Sequence, residues 1–307
     1  MTGGSYDVTD HAPYTSQSPI SDPGEMAGWL SGLPRDFTAL RALARPLVAH
    51  YRADDLNAFG IPDERVAEID TRFAGRMLAR LHEMDSGPLT PERTPSNRLV
   101  GCCRDFTLLY LTMLRHAGIP ARGRVGFAGY FAPGWYIDHV VAEVWDEANG
   151  RWRLIDPQLG DVRTDPNDDY PINTLDIPRD RFLVGGDAWQ VCRSGELSPE
   201  RFVVDPDLEI PVTRGWLQLR HNLVQDLAAL TKREMILWDT WGILGDDPVT
   251  DGSLPLLDGI AAVTANPNVT YAEASALYER EPGVQVPPEV ESFNMLANEP
   301  RLVASGV

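Results

Sequence analysis

A cysteine placed in the first turn of a helix constrains this chain more than any other feature. The run Gly101-Cys102-Cys103-Arg104-Asp105-Phe106-Thr107 opens a segment in which Phe106, Leu109, Met113 and Ala117 recur at steps of three and four. That spacing predicts a helix with one apolar face. Gly118 and Pro120 end it, because glycine accepts a left-handed terminal conformation and proline has no amide to continue the ladder. Gly101 precedes the helix, so a cysteine lies where unpaired backbone amides concentrate, next to Arg104. Both features favour a thiolate, whereas an ordinary cysteine, with a pKa of about 8.5, is mostly protonated at neutral pH.

The residues that follow supply what such a sulfur needs. Arg122 to Phe131 is rich in Val, Phe, Tyr and Gly and reads as a strand. Asp138 to Asp146 reads as a second strand with His139 at its start. Glu147-Ala148-Asn149-Gly150 is a hairpin turn, and Arg151 to Asp156 is the returning strand, with Asp156 at its end. Antiparallel neighbours joined by a short turn bring the start of one beside the end of the other. His139 and Asp156 are therefore predicted to be close. An imidazole to take the thiol proton, steered by a carboxylate, is the usual support of a nucleophilic cysteine.

These segments together resemble the core of the transglutaminase-like superfamily. The resemblance rests on Gly101-Cys102-Cys103-Arg104-Asp105-Phe106-Thr107, on Gly118-Ile119-Pro120-Ala121-Arg122, on His139 leading a strand, and on Trp152 with Asp156-Pro157. It covers roughly residues 95 to 160. It implies an α+β, papain-like fold in which the cysteine-bearing helix packs on an antiparallel sheet, with helical extensions at both ends. It also implies a Cys–His–Asp triad and no cofactor. The family register, a glycine two residues before the cysteine and Arg-Asp-aromatic after it, selects Cys103 as nucleophile, His139 as base and Asp156 as orienting acid. Val140-Val141 after His139 and Gln158 after Pro157 depart from the common pattern without touching the triad.

Rival assignments are weaker. Helical spacing puts Cys102 on the buried stripe with Phe106, Leu109 and Met113, and turns Cys103 off it towards a cleft. A zinc site from Cys102, Cys103, His139 and Asp156 would need two adjacent cysteines to chelate one ion, and no Cys-x-x-Cys spacing exists. Asp146 and Asp161 are alternatives to Asp156, but neither ends the return strand. Asp105 is read as a cap or an arginine partner, and Asp138 as facing away from His139. The Cys103 amide is the expected first oxyanion donor, with the Asn97 side chain a candidate second. Arg104, Arg122 and Arg124 are read as surface arginines, with a substrate carboxylate as the alternative partner.

Composition narrows the class of partner. The 307 residues carry a formal net charge of −18, which disfavours nucleic acid and anionic membrane surfaces. Lys232 is the sole lysine. Three cysteines, two of them adjacent, make no disulfide framework, and a reducing, cytoplasmic setting is expected. No secretory or membrane-spanning stretch is evident.

Along the chain, 1–24 is polar and reads as a disordered tail containing a solvated His11. A helical block occupies 25–90. It has a short helix over 25–33, one from Asp36 divided at Pro46, and one from Pro62 to Asp85. His50 and His82 are expected at the surface near helix ends. The core occupies 91–205 and includes a surface loop over 160–181, a possible cleft wall, and a short helix carrying a buried Cys192. A C-terminal helical extension, 206–307, holds a long helix from Gly215 to about Trp238, with His221 read as a surface or hydrogen-bonded histidine and a contact to the site or substrate as the alternative, and two short helices, around 254–264 and 271–281. The functional expectation is a cysteine-dependent acyl-transfer enzyme acting on an amide, ester or thioester of a small molecule or peptide. Hydrolysis of the amidase or peptidase kind is favoured, since no amine-binding element is visible. An amide-forming acyltransferase and a catalytically inactive papain-like interaction module are the alternatives.

Overall fold

The structure is a computed structural model that describes residues 8–164 and 171–307, without the side chains of residues 8–10 and 164. The expectation for residues 1–7 lies outside it. Residues 8–24 are not a tail. Val8–Thr15 forms a 3-10 helix, Tyr14 is buried with its hydroxyl on Leu230 O at 2.9 Å, and Ser18 Oγ donates to Glu234 Oε2 at 2.7 Å. His11 stacks on Trp145, with ring centroids 3.8 Å apart. The segment is polar because what it meets is polar.

A 3-10 turn, Gly24–Leu30, precedes α1, Phe37–Ala44, whose Asp36 caps the Ala39 amide at 2.8 Å. Pro46 turns the chain into a strand, β1, Val48–His50. The single helix expected from Pro62 to Asp85 is two pieces, a 3-10 segment Asp63–Asp70 and α2, Ala74–Met84. Tertiary bonds take over the backbone at the break. Arg72 O accepts from Arg104 Nη2 at 2.7 Å, and the Ala74 amide donates to Ile20 O at 2.9 Å. A 3-10 turn, Pro95–Asn97, leads to β2, Leu99–Gly101, which pairs in parallel with β1.

The helix α3, Cys103–His116, follows at once and is buried along nearly its whole length. It ends as its glycine predicts. Gly118 has φ +77°, and the Gly118 and Ile119 amides close onto Arg115 O and Leu114 O at 3.1 and 2.9 Å. It packs on the antiparallel sheet formed by β3, Ala121–Ala128, β4, Tyr136–Asp146, and β5, Arg151–Ile155. Within the surface loop expected over 160–181, of which 165–170 lie outside the described residues, β6, Val162–Thr164, and β7, Pro171–Asn173, pair in antiparallel fashion. The strand β8, Phe182–Val184, completes the sheet order β5-β4-β3-β8. Then come α4, Gly185–Arg193, and β9, Phe202–Val203, which lies parallel to the start of β4.

The helix α5, Gly215–Leu230, packs along β3 and stops well short of Trp238, with Lys232 in the left-handed region at φ +63°. The C-terminal region is not purely helical. After β10, Asp239–Thr240, come α6, Leu254–Thr264, and α7, Tyr271–Arg280, and then a hairpin of β11, Glu289–Asn294, and β12, Glu299–Ala304, which pairs with β10. One apolar cluster runs from Ile20 through α3 and α5 to Val290, so the flanking segments share a core with the central sheet.

Candidate active site

The glycine before the cysteines has a steric reason. The Asp105 carboxylate folds back to accept the Cys102 amide at 2.9 Å, which draws the helix start against β2. A Cβ on Gly101 would meet Asp105 Oδ2 at 2.7 Å and Val48 Cγ1 at 2.9 Å. Only glycine lets strand, turn and helix close this tightly. Asp105 thus caps, as expected. Arg104 does not lie at the surface. It is 2% exposed, pairs with Asp105 at 3.0 Å and donates to Glu234 O at 2.6 Å.

Sheet register aligns the other two side chains. Gly126 of β3 faces His139, and Ala142 of β4 faces Ile155 of β5. One further step puts Asp156 opposite Val141, two residues from His139 and on the same face. His139 Nε2 lies 2.9 Å from Asp156 Oδ2. The Cys103 thiol and the His139 ring lie close enough to shift each other's protonation. Cys103, His139 and Asp156 are 5%, 2% and 0% exposed, so the site is nearly closed.

The charges follow from these contacts. The neighbouring Cys102 thiol and the imidazole of His139, against burial, hold the Cys103 thiol well below the usual range. Cys102 is pushed well up, by that neighbour and by burial. Burial opposes a charged His139, but the Asp156 carboxylate and the thiolate outweigh it and raise the ring to about 10. Burial likewise opposes the Asp156 charge. The imidazolium, the Gln158 amide at 2.9 Å and the Tyr130 hydroxyl at 3.0 Å overcome it and keep the carboxyl low.

Several other expectations resolve by geometry. Asp146 closes the β4–β5 turn with Asn149 and Arg153, and Asp161 binds Arg41 Nη1 at 2.6 Å, so neither reaches His139. Asp138 turns to Asn222 Nδ2 at 2.8 Å. Arg122 and Arg124, read as surface groups, are 0% exposed and share Glu143. His221 is half-buried, with Nε2 2.8 Å from Leu237 O, and burial lowers its pKa to about 4. Cys192 is buried. Asn97 ends its 3-10 turn with its carbonyl bound to Arg93 Nε at 2.7 Å. Among the described residues, no group of three or more His, Cys, Asp or Glu side chains is arranged to hold a metal ion, and no helix is long and apolar enough to cross a membrane.

Sequence reasoning missed the supports. Tyr130 was read only as a strand residue, yet it donates to Asp156 Oδ2. Arg41, on α1, fastens the chain after β5 through Leu159 O at 2.6 Å and Thr174 Oγ1 at 2.9 Å. No local pattern marks either, since both act across more than twenty residues of chain.

Residues 48–157 match the model of the transglutaminase-like superfamily. No curated protein matches the chain. A solved structure from Cytophaga hutchinsonii, provisionally named a cysteine protease, is similar at 15% identity and a TM-score of 0.35. The match covers 58% of this chain and 46% of that one. The chain therefore spans less than half of that protein, and a likeness this slight carries no argument about activity.

Proposed function

Taking residues 48–157 as a transglutaminase-like core, we propose that this protein is a cysteine-dependent acyl-transfer enzyme and, in its default reaction, a hydrolase of an amide, ester or thioester. The observation that carries the reading is the His139 ring, bound to Asp156 Oδ2 at 2.9 Å through one nitrogen, with the Cys103 thiol among the groups that raise its pKa. In this mechanism the Cys103 thiolate attacks the acyl carbon. A C–S bond forms and the carbonyl electrons move to oxygen. As the tetrahedral species collapses, His139 gives its proton to the leaving amine, alcohol or thiol. The neutral imidazole then takes a proton from water, which attacks the thioester and releases the acid, and the thiolate–imidazolium pair returns. Asp156 holds the ring's orientation and its charge throughout.

An amine in place of water would give the amide-forming reaction. Nothing in the three side chains favours it, and water is the acceptor present at the highest concentration. The test is incubation with amide and thioester libraries, with and without amine acceptors, followed by intact mass. A trapped acyl adduct that Cys103→Ala abolishes, together with free acid as product whether or not amine is present, is the expected result. Wild-type protein that reacts with iodoacetamide no faster than a free thiol, and that forms no adduct, would instead leave a binding module.

A further inference from the structure

The thiolate needs two donors facing the carbonyl oxygen that becomes charged as it attacks. The Cys103 amide is one, since the first amides of a helix have no partner within it. A second stands at the end of β1. His50 pairs with Gly101 in parallel register, two residues before Cys103, and the Tyr51 amide fastens the crossing through Gly101 O at 3.0 Å. Expected as a surface histidine at a helix end, His50 is instead half-buried in a strand beside the nucleophile.

Its ring is held in one state. Nδ1 accepts the backbone amides of Arg52 at 3.2 Å and Ala53 at 3.1 Å, so in the neutral ring the proton sits on Nε2. The ring stacks on Tyr51, with centroids 5.4 Å apart and planes 18° from parallel. Burial lowers its pKa and favours this neutral form, and the ring is near enough to Cys103 and His139 to feel both charges. Both hydrogen bonds of the ring use Nδ1 and none uses Nε2. A neutral, oriented N–H beside a nucleophile is what an incoming carbonyl would use.

We propose that His50 is a catalytic residue whose Nε2–H completes the oxyanion hole begun by the Cys103 amide. It donates to the substrate carbonyl oxygen as the C–S bond forms and takes no proton in the step. His50 therefore fills the role for which Asn97 was the candidate in the sequence. The inference rests on the acyl-transfer reading above and is separable from it, because alkylation by iodoacetamide needs the thiolate but builds no oxyanion, whereas acylation by 4-nitrophenyl acetate needs both.

The experiment measures both rates by intact mass for wild type, His50→Ala and His50→Gln. His50→Ala is expected to slow acylation by about 10²–10³-fold and to leave alkylation within about twofold. His50→Gln, whose amide N–H can take the place of Nε2–H, should recover most of the loss. If His50→Ala unfolds, His50→Phe keeps a ring against Tyr51 without the donor and carries the same comparison. Acylation at the wild-type rate in the donor-less variants overturns the proposal. So does an equal loss of alkylation, which would mean that His50 acts on the ion pair. Wild type that alkylates rapidly but is never acylated defeats the acyl-transfer reading and this proposal with it.

Discussion

The hairpin of β3 and β4 carries two buried clusters of charge, and they are built to opposite ends. Away from its turn, Glu143 is held by Arg122 Nε at 2.6 Å and Arg124 Nη1 at 3.0 Å and is also bound by Arg179, while Arg124 forks onto both oxygens of Asp226 at 2.9 and 2.8 Å. Arg122 spends its remaining nitrogens on Val269 O and Pro267 O, at 2.6 and 3.0 Å. Each charge there is answered, and the result ties the sheet to α5 and to the chain before α7. At the other end, Cys103, His139 and Asp156 are also nearly inaccessible, yet their partners are graded. Asp156 accepts from Tyr130 and the Gln158 amide and pairs with His139, and that ring can give a proton away. Buried charge stabilises a fold only when every group is paired. Left with one transferable proton, the same kind of arrangement becomes reactive.

Asp156→Asn breaks the reactive end most severely. It removes the charge that raises His139, so the imidazolium loses its proton at lower pH. Acyl-enzyme formation should fall by about 10³-fold or more. The ring's raised value of about 10 means that wild-type acylation declines only as pH climbs through that range, when the acid for the leaving group disappears. In Asp156→Asn that alkaline limb should move down. A pH–rate profile of single-turnover acylation checks both, and an unmoved limb would mean that Asp156 does not set the ring's charge.

Glu143→Gln should do the reverse, by costing stability and sparing chemistry. Uncompensating the arginines around a fully buried carboxylate costs about 3–5 kcal/mol. Those arginines hold the Glu143 carboxyl well below its usual value, against burial. A group depressed in the folded state stabilises above its unfolded pKa and loses that contribution as pH falls through the folded one. Wild type should therefore lose this contribution at acid pH, while the variant has none to lose. Urea melts at pH 7 and below measure this, with the iodoacetamide rate at Cys103 as the control. A large drop in that rate for a folded variant would show that the two clusters are coupled.

Tyr130→Phe is the mildest change. It deletes one of the hydrogen bonds to Asp156, worth about 1–1.5 kcal/mol, and should slow acylation no more than about tenfold. Stopped-flow acylation resolves that range. A loss as large as that of Asp156→Asn would give the hydroxyl a larger part than positioning.

The parts legible in the sequence were those whose causes are local. The helix Cys103–His116 followed from apolar spacing and from Gly118, and the approach of Asp156 to His139 followed from a turn that ends in Gly150 at φ +61°. The β11–β12 hairpin was missed because its apolar alternation breaks after Val290: Ser292 is 3% exposed while Phe293 is 39% exposed, so there the polar residue faces in. Residues 8–24 looked like a tail because their partners, Thr112, Leu230 and Glu234, lie far along the chain. Arg104, Arg122 and Arg124 looked like surface groups because arginine usually is one.

By itself, the order of residues determined that a cysteine opens the buried helix and that His139 meets Asp156, because one helix start and one hairpin register are short-range consequences of glycine placement and alternation. Only the tertiary structure decided what surrounds them: Tyr130 beneath Asp156, Arg41 across the following chain, and His50 brought beside Gly101 by a parallel pairing across fifty residues. Those partners are matched by unpaired hydrogen-bonding capacity at a distance, and such capacity leaves no periodic trace in a sequence.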